Sequence, residues 1–306
     1  MNSLLPRRDF LKLTGMAALT TAGPALVARA GAESAAASQK RPHIRKAIMY
    51  QTIGYKGSVM EKFKACQEAG FEGIEAMSHM NQDEVLAARD ATGLKIASVC
   101  CNTHWNLTLS HPSESVREKG LEGLKQSLRD AKAYGATSVL LVPGVARDGV
   151  TYEQCWQRSI EQIRKAIPLA EEMGAKIAIE NVWNDFIIKE TEAVRYLDEI
   201  NSPHVAWHFD IGNIIYYGDP IDWVKALGKR ISRLHIKEYS RDLAMKQNRG
   251  AGFSAKFLEG ANNWPGIMKA LDEVGYEGWG IAEQRGGDSL EGLKKLSQDM
   301  DRIFAS

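Results

Sequence analysis

The chain has 306 residues, 44% of them hydrophobic, and its 39 Lys and Arg nearly balance 38 Asp and Glu. That is enough apolar material for a large core, which excludes an intrinsically disordered chain. Near-neutrality leaves no basic excess for gripping nucleic acid independently of sequence, so a small-molecule partner is expected instead.

In chain order, the first signal is a basic pair, Arg7-Arg8, followed by Asp9-Phe10-Leu11-Lys12, an Ala-rich apolar stretch from Leu13 to Val27, and the small-residue ending Ala28-Arg29-Ala30. This order resembles a twin-arginine export signal over 1–30, with cleavage expected after Ala30 and a periplasmic or secreted destination. Thr, Gly and Pro interrupt the apolar stretch, so it reads as a removable leader and not as a stable membrane span. Residues 31–43, rich in Ala and Ser, are expected to be a flexible linker before a folded domain at 44–306. The four cysteines, Cys66, Cys100, Cys101 and Cys155, do not form a framework that a chain of this length needs. Cys100 and Cys101 are adjacent and would point to opposite faces of a strand, which disfavours a shared metal clamp.

From residue 44 one alternation repeats to the end. Short apolar runs at 45–51, 72–77, 95–100, 138–142, 176–180, 204–211, 231–237 and 279–283 predict strands. Segments at 58–69, 82–92, 114–135, 153–173, 190–200, 220–229, 264–275 and 289–304 predict helices. Gly70, Gly93, Gly135, Gly174 and Gly275 close helices just before the next strand, where a left-handed cap turns the chain back. Eight such units predict one closed (β/α)8 TIM barrel. A doubly wound sheet would leave two edges to protect, and no Gly-rich phosphate turn follows the first strand. Long loops at 101–113 and 238–263 follow the third and seventh strands, on the face where a barrel of this kind builds its pocket.

Four strand-end residues carry the chemistry: Glu180 in KIAIE, Asp210 in VAWHFD, His235 in RLHIKE and Glu283 in GWGIAE. Alternation along each strand puts Glu180 with Ala178, Asp210 with His208, His235 with Lys237, and Glu283 with Ile281, so all four can face the barrel interior without a register irregularity. Like charges gathered in an apolar mouth repel unless a cation neutralises them. One divalent ion is therefore expected, Mn²⁺ before Mg²⁺, Co²⁺ or Zn²⁺ because the donors are mostly oxygen. Such a site suits proton abstraction beside a carbonyl, with an enediolate as intermediate, one of Glu180 and Glu283 taking the proton and the other returning it. Lys237 is expected either to hold a substrate oxygen or to pair with Glu180 or Glu283. Candidate sugar contacts are Asn181, His208, His104, Trp105, Glu75 and Trp183, with His79, Asn106 and Trp264 at the same rim. Arg249 and Lys256 in the seventh loop read either as contacts to an anionic substrate or as part of a solvated face.

These residues resemble the xylose-isomerase-like barrel superfamily, specifically its sugar phosphate isomerase/epimerase group, across about 44–304. The segments that carry the resemblance are IAIEN at 177–181, HFDIGN at 208–213, RLHIKEY at 233–239 and FLEGANNWPGIMKALDEVGYEGWGIAEQ at 257–284. It implies one divalent metal on Glu180, Asp210, His235 and Glu283, and a ketose epimerase or isomerase in which the two glutamates exchange protons with substrate. Lyases that expel the aglycone from a 3-keto-glycoside share the likeness, and a non-catalytic periplasmic carbohydrate binder is the reading from another class. Two positions depart from the pattern. Asn213 stands where many relatives have histidine, which argues against a trinuclear nuclease site, and Glu238 stands where aspartate is usual. Export favours a free or glycosidic keto sugar over a phosphorylated one. Self-association is left open.

Overall fold

The computed structural model describes residues 43–306. The leader expected at 1–30 and nearly all of the linker expected at 31–43 lie outside the described residues. The eight apolar runs form β1 (Ile44–Met49), β2 (Gly73–Met77), β3 (Lys95–Cys100), β4 (Ser138–Leu141), β5 (Lys176–Glu180), β6 (Val205–Asp210), β7 (Ile231–Ile236) and β8 (Gly278–Ala282). Each pairs in parallel with the next, and β8 pairs with β1, so the sheet closes in chain order with no edge left open. The single (β/α)8 barrel read from the alternation is the fold.

The helices are α1 (Val59–Glu68), α2 (Gln82–Thr92), α3 (Glu114–Tyr134), α4 (Tyr152–Met173), α5 (Glu190–Ile200), α6 (Ile211–Ile214), α7 (Pro220–Leu227), α8 (Arg241–Lys246), α9 (Trp264–Glu273) and α10 (Leu290–Phe304). Their ends follow local chemistry. Ser58 and Glu61 form a reciprocal capping box at the start of α1, and Thr151 and Gln154 form another at α4. Gly93 and Gly174 end α2 and α4 at φ of 72° and 67°, a conformation in which any side chain is strained. Short α6 and α8 are additions that the periodicity did not reveal, because each spans less than two turns. No helix among the described residues is long and apolar enough to cross a membrane.

The larger apolar core fills the space between barrel and helices, with Ile48, Ile74, Leu128, Ile163, Trp207 and Trp223 among its members. The barrel interior holds a smaller cluster that includes Ala47, Met49, Met77, Leu140 and Ile281. Arg233 closes its lower end, with Nε donating to the Ala97 carbonyl at 2.7 Å and a terminal nitrogen donating to Thr137 Oγ1 at 2.9 Å.

The expectation of an unbroken register is corrected by the strand pairing. Between β6 and β7, Trp207 faces Ile231 but His208 faces Arg233, so Ser232 is skipped. Without that extra residue Asp210 would lie opposite Leu234, which belongs to the outer core. The bulge turns Arg233 and His235 inward and brings His235 level with Asp210. A second shift, between Ile74 and Glu75 on β2 against β3, skips Ala97 and aligns Glu75 with Ser98.

Candidate metal centre

The four strand-end residues meet at the C-terminal mouth of the barrel. Glu180 and Asp210 are the last residues of β5 and β6, His235 is the inward residue near the end of β7, and Glu283 follows β8. Glu283 is fixed by its own N–H, which donates to the Ile236 carbonyl at 3.1 Å. Asp210 Oδ1 accepts from the Asn213 N–H at 2.8 Å, capping α6 and leaving Oδ2 toward the cluster. His235 Nδ1 lies 2.9 Å from Glu180 Oε1, 3.1 Å from Glu283 Oε2 and 3.8 Å from Asp210 Oδ2. One donor atom from each of the four lies within 4.8 Å of the others.

Lys237 is 2.8 Å from Glu283 Oε2 and 3.2 Å from Asp210 Oδ2, so it pairs with Glu283 and Asp210 and not with Glu180. Burial pushes the Asp210 carboxyl up to about 8, helped by the nearby Glu283 and Glu180 and opposed by Lys237. Burial also raises Glu180, against its hydrogen bond from His235. Glu283 is held well below the usual carboxylate range because Lys237 and His235 outweigh its burial. His235 and Lys237 are both raised against the effect of burial, His235 by Glu75 and Glu283, and Lys237 by Asp210 and Glu283.

Three ionised carboxylates with Lys237 and a protonated His235 leave one negative charge over. A divalent cation in place of the imidazolium proton brings these five groups to neutrality. The donors, three carboxylate oxygens and one imidazole nitrogen, fit such an ion.

Above the cluster opens a cavity of about 500 Å³, lined by Glu180, His235, Lys237 and Glu283 together with Asn102, His104, Trp105, Asn106, Trp183, Asn213 and Phe253. Of the residues read as sugar contacts, His104, Trp105 and Trp183 reach this cavity. His104 is buried in its wall, with Nδ1 accepting the Val142 N–H at 3.1 Å, and Trp105 stands at the rim with 48% of its surface exposed. Trp183 donates through Nε1 to the Asn213 carbonyl at 2.9 Å and packs on Phe253.

The other three expected contacts are placed elsewhere. Asn181 is consumed by structure: its Oδ1 accepts from Trp207 Nε1 and the Asp210 N–H, and its Nδ2 donates to the Asp210 carbonyl. Glu75 and His208 are fully buried below His235 and do not line the cavity. Trp264 is buried with Nε1 donating to Glu238 Oε2 at 2.9 Å. His79 also stands outside the cavity lining, its N–H donating to Asp130 Oδ2 at 2.9 Å. Arg249 and Lys256 are exposed and outside the cavity lining.

Asn213 and Phe253 were not read as contacts. The unusual asparagine at 213 was the available signal for one, and the length of the loop after β7 for the other.

Comparison with known proteins follows the same lines. Residues 63–304 match the family described as xylose isomerase-like TIM barrel. The Escherichia coli K12 protein SgbU, whose assignment as an L-ribulose-5-phosphate 3-epimerase is itself provisional, is 26% identical over 237 residues, covering 71% of this chain and 80% of that protein. Among solved structures, the 3-keto-D-glucoside 4-epimerase YcjR from E. coli superposes with a TM-score of 0.70 at 16% identity, covering 85% of this chain and 98% of YcjR. The IOLI protein with a bound zinc atom gives 0.70 at 17% identity over the same shares of the two chains. These structural likenesses establish the common fold.

Proposed function

The chain belongs to the xylose-isomerase-like TIM barrel family, and from that premise we propose that it is a divalent-metal-dependent epimerase or isomerase of a non-phosphorylated keto sugar. The observation that carries this reading is the convergence of Glu180, Asp210, His235 and Glu283, three of which, Glu180, His235 and Glu283, line a polar and aromatic cavity. Lys237 is the only Lys or Arg among the described residues lining that cavity, and Asp210 and Glu283 already neutralise it. A phosphate group needs a free cation or a cluster of backbone N–H donors, so the lining supports an uncharged sugar. SgbU is named for a phosphorylated ketose and YcjR for a 3-keto-glucoside, and the charge of this cavity favours the second kind of substrate.

Held by the four ligands, a divalent ion supplies a Lewis acid that polarises the sugar carbonyl and acidifies the neighbouring C–H. Mn²⁺ is our choice of ion on the oxygen-rich donor set. Glu180 and Glu283 stand three strands apart around the barrel, so they address a bound sugar from different sides. Glu283, kept ionised by Lys237, takes the proton from the carbon beside the carbonyl. Glu180, three strands away, returns a proton. Return to the opposite face of the same carbon gives an epimer, and return to the adjacent carbon gives an isomer. Trp105 and Trp183 offer flat apolar walls to the sugar, and Asn102 and Asn106 offer amide groups to its hydroxyls. The export signal read at 1–30 agrees with an uncharged substrate outside the cytoplasm, and periplasmic or secreted localisation is part of this proposal.

The test is incubation of the Mn²⁺-loaded protein in deuterated water with free ketoses and 3-keto-glycosides. One deuterium at the reacting carbon of recovered sugar is expected, and Glu283→Gln is expected to lower turnover by about 10²–10⁴-fold, the usual share of a general acid or base. Release of an aglycone with an unsaturated keto sugar would replace the epimerase by a lyase. Tight sugar binding, equal in wild type and Glu283→Gln and without any product, would leave a carbohydrate binder.

A further inference from the structure

Beneath His235 the barrel holds polar groups that the proposed reaction does not use. Glu75 Oε2 lies 2.9 Å from His235 Nε2, on the side of the ring away from the cavity. The other ring nitrogen, Nδ1, faces Glu180, Glu283 and Asp210. A neutral imidazole carries one N–H, so a proton on Nε2 and a free lone pair on Nδ1 describe the same tautomer. With a cation in place of the proton on Nδ1, the proton that remains is the one on Nε2, where Glu75 Oε2 accepts it.

We infer that Glu75 is a positioning residue that, through His235, presents Nδ1 as the nitrogen ligand of the divalent ion. The inference rests on the metal reading above. It accounts for an otherwise costly arrangement. Glu75 is fully buried, its Oε1 has no hydrogen-bond partner among the described residues, and His208 Nδ1 is 3.9 Å from that oxygen. Arg233, the cation at the barrel base, has its nitrogens committed to the Ala97 and Ser232 carbonyls and to Thr137. An acidic group at this depth whose only hydrogen-bonded side chain among the described residues is His235 weakens the core unless that contact has a use, and the neighbouring interior positions Met49, Met77 and Ile281 are apolar.

Two further features hold the pair in place. The register shift between Ile74 and Glu75 sets the height of the carboxylate on β2. The His208 ring packs edge-on against the His235 ring at 4.2 Å between centroids, which restricts its rotation.

The experiment titrates metal-stripped wild type and Glu75→Gln with Mn²⁺ in competition with a chelator, and unfolds both stripped proteins in urea. Gln keeps the shape and an acceptor oxygen but removes the charge. Binding about 10–100-fold weaker is expected, as for other partners that orient a metal-bound histidine, with an unfolding midpoint that does not fall in proportion. Unchanged Mn²⁺ affinity overturns the inference while leaving the four-ligand site intact. A wild type that binds no divalent ion removes the metal reading and this inference with it. Should Glu75→Gln fail to fold, long-range proton–nitrogen NMR of Zn²⁺-loaded wild type decides. A proton on His235 Nε2 is expected, and a proton on Nδ1 overturns the inference.

Discussion

His104 is a neutral imidazole sealed into the cavity wall, and its cost depends on acidity. Burial pushes it down to about 3 in the folded chain, against an ordinary histidine value near 6.5 when unfolded. Between those values the unfolded state binds a proton that the folded state refuses. Its contribution is therefore whole above about pH 6.5 and lost as pH falls toward 3. Urea unfolding of metal-stripped wild type and His104→Asn should show their stability difference shrinking by about 1.4 kcal/mol per pH unit below pH 6.5. A difference independent of pH would mean that the imidazole is not buried neutral.

Residues of this kind were only partly legible in advance. The convergence of Glu180, Asp210, His235 and Glu283 was readable because four acidic or imidazole groups ended four separate apolar runs. Asn181 and Glu75 were misplaced because alternation tells which face a side chain takes, not which neighbour claims its polar atoms or how deep it lies.

The loop between β7 and α9 depends on one buried carboxylate. Glu238 accepts from the Leu258 N–H at 2.8 Å, the Asn262 N–H at 3.3 Å and Trp264 Nε1 at 2.9 Å. These bonds sustain Leu258 at a φ of 68°, a left-handed conformation that a leucine avoids. The same loop carries Phe253, which meets both Trp183 and the Lys237 ammonium in the cavity. Glu238→Ala orphans three donors at about 1–3 kcal/mol each. Amide exchange over 255–262 is expected to quicken by about 10²-fold or more while the strands keep their protection. Uniform loss of protection across the barrel would instead make Glu238 a determinant of the whole fold.

The glutamate at 238 stood out in the sequence as a departure from the aspartate expected there, but its partners lie some twenty residues on and no spacing rule reaches them. Strand and helix ends came within two residues of expectation, since caps and apolar runs are local. The bulge at Ser232 did not, because a skipped residue shows only when two strands are paired.

Closure of eight parallel strands is what turns four remote residues into one site. The alternation of runs and capped helices made that closure legible without any atomic detail, because each unit buries one strand face against its own helix and leaves the other for the barrel. What closure does to charge was legible only in part. Three carboxylates and a histidine were read as like charges in need of a cation, and Lys237, paired with Asp210 and Glu283, already supplies part of that compensation.

The most direct measurement is titration of the metal-stripped protein with Mn²⁺, following bound metal per chain and the thermal unfolding midpoint together. One tightly bound ion per chain with a raised midpoint is expected, and Asp210→Ala should abolish both. Absence of tight binding in wild type, or equal binding after joint replacement of Asp210 and Glu283 by alanine, would contradict the account.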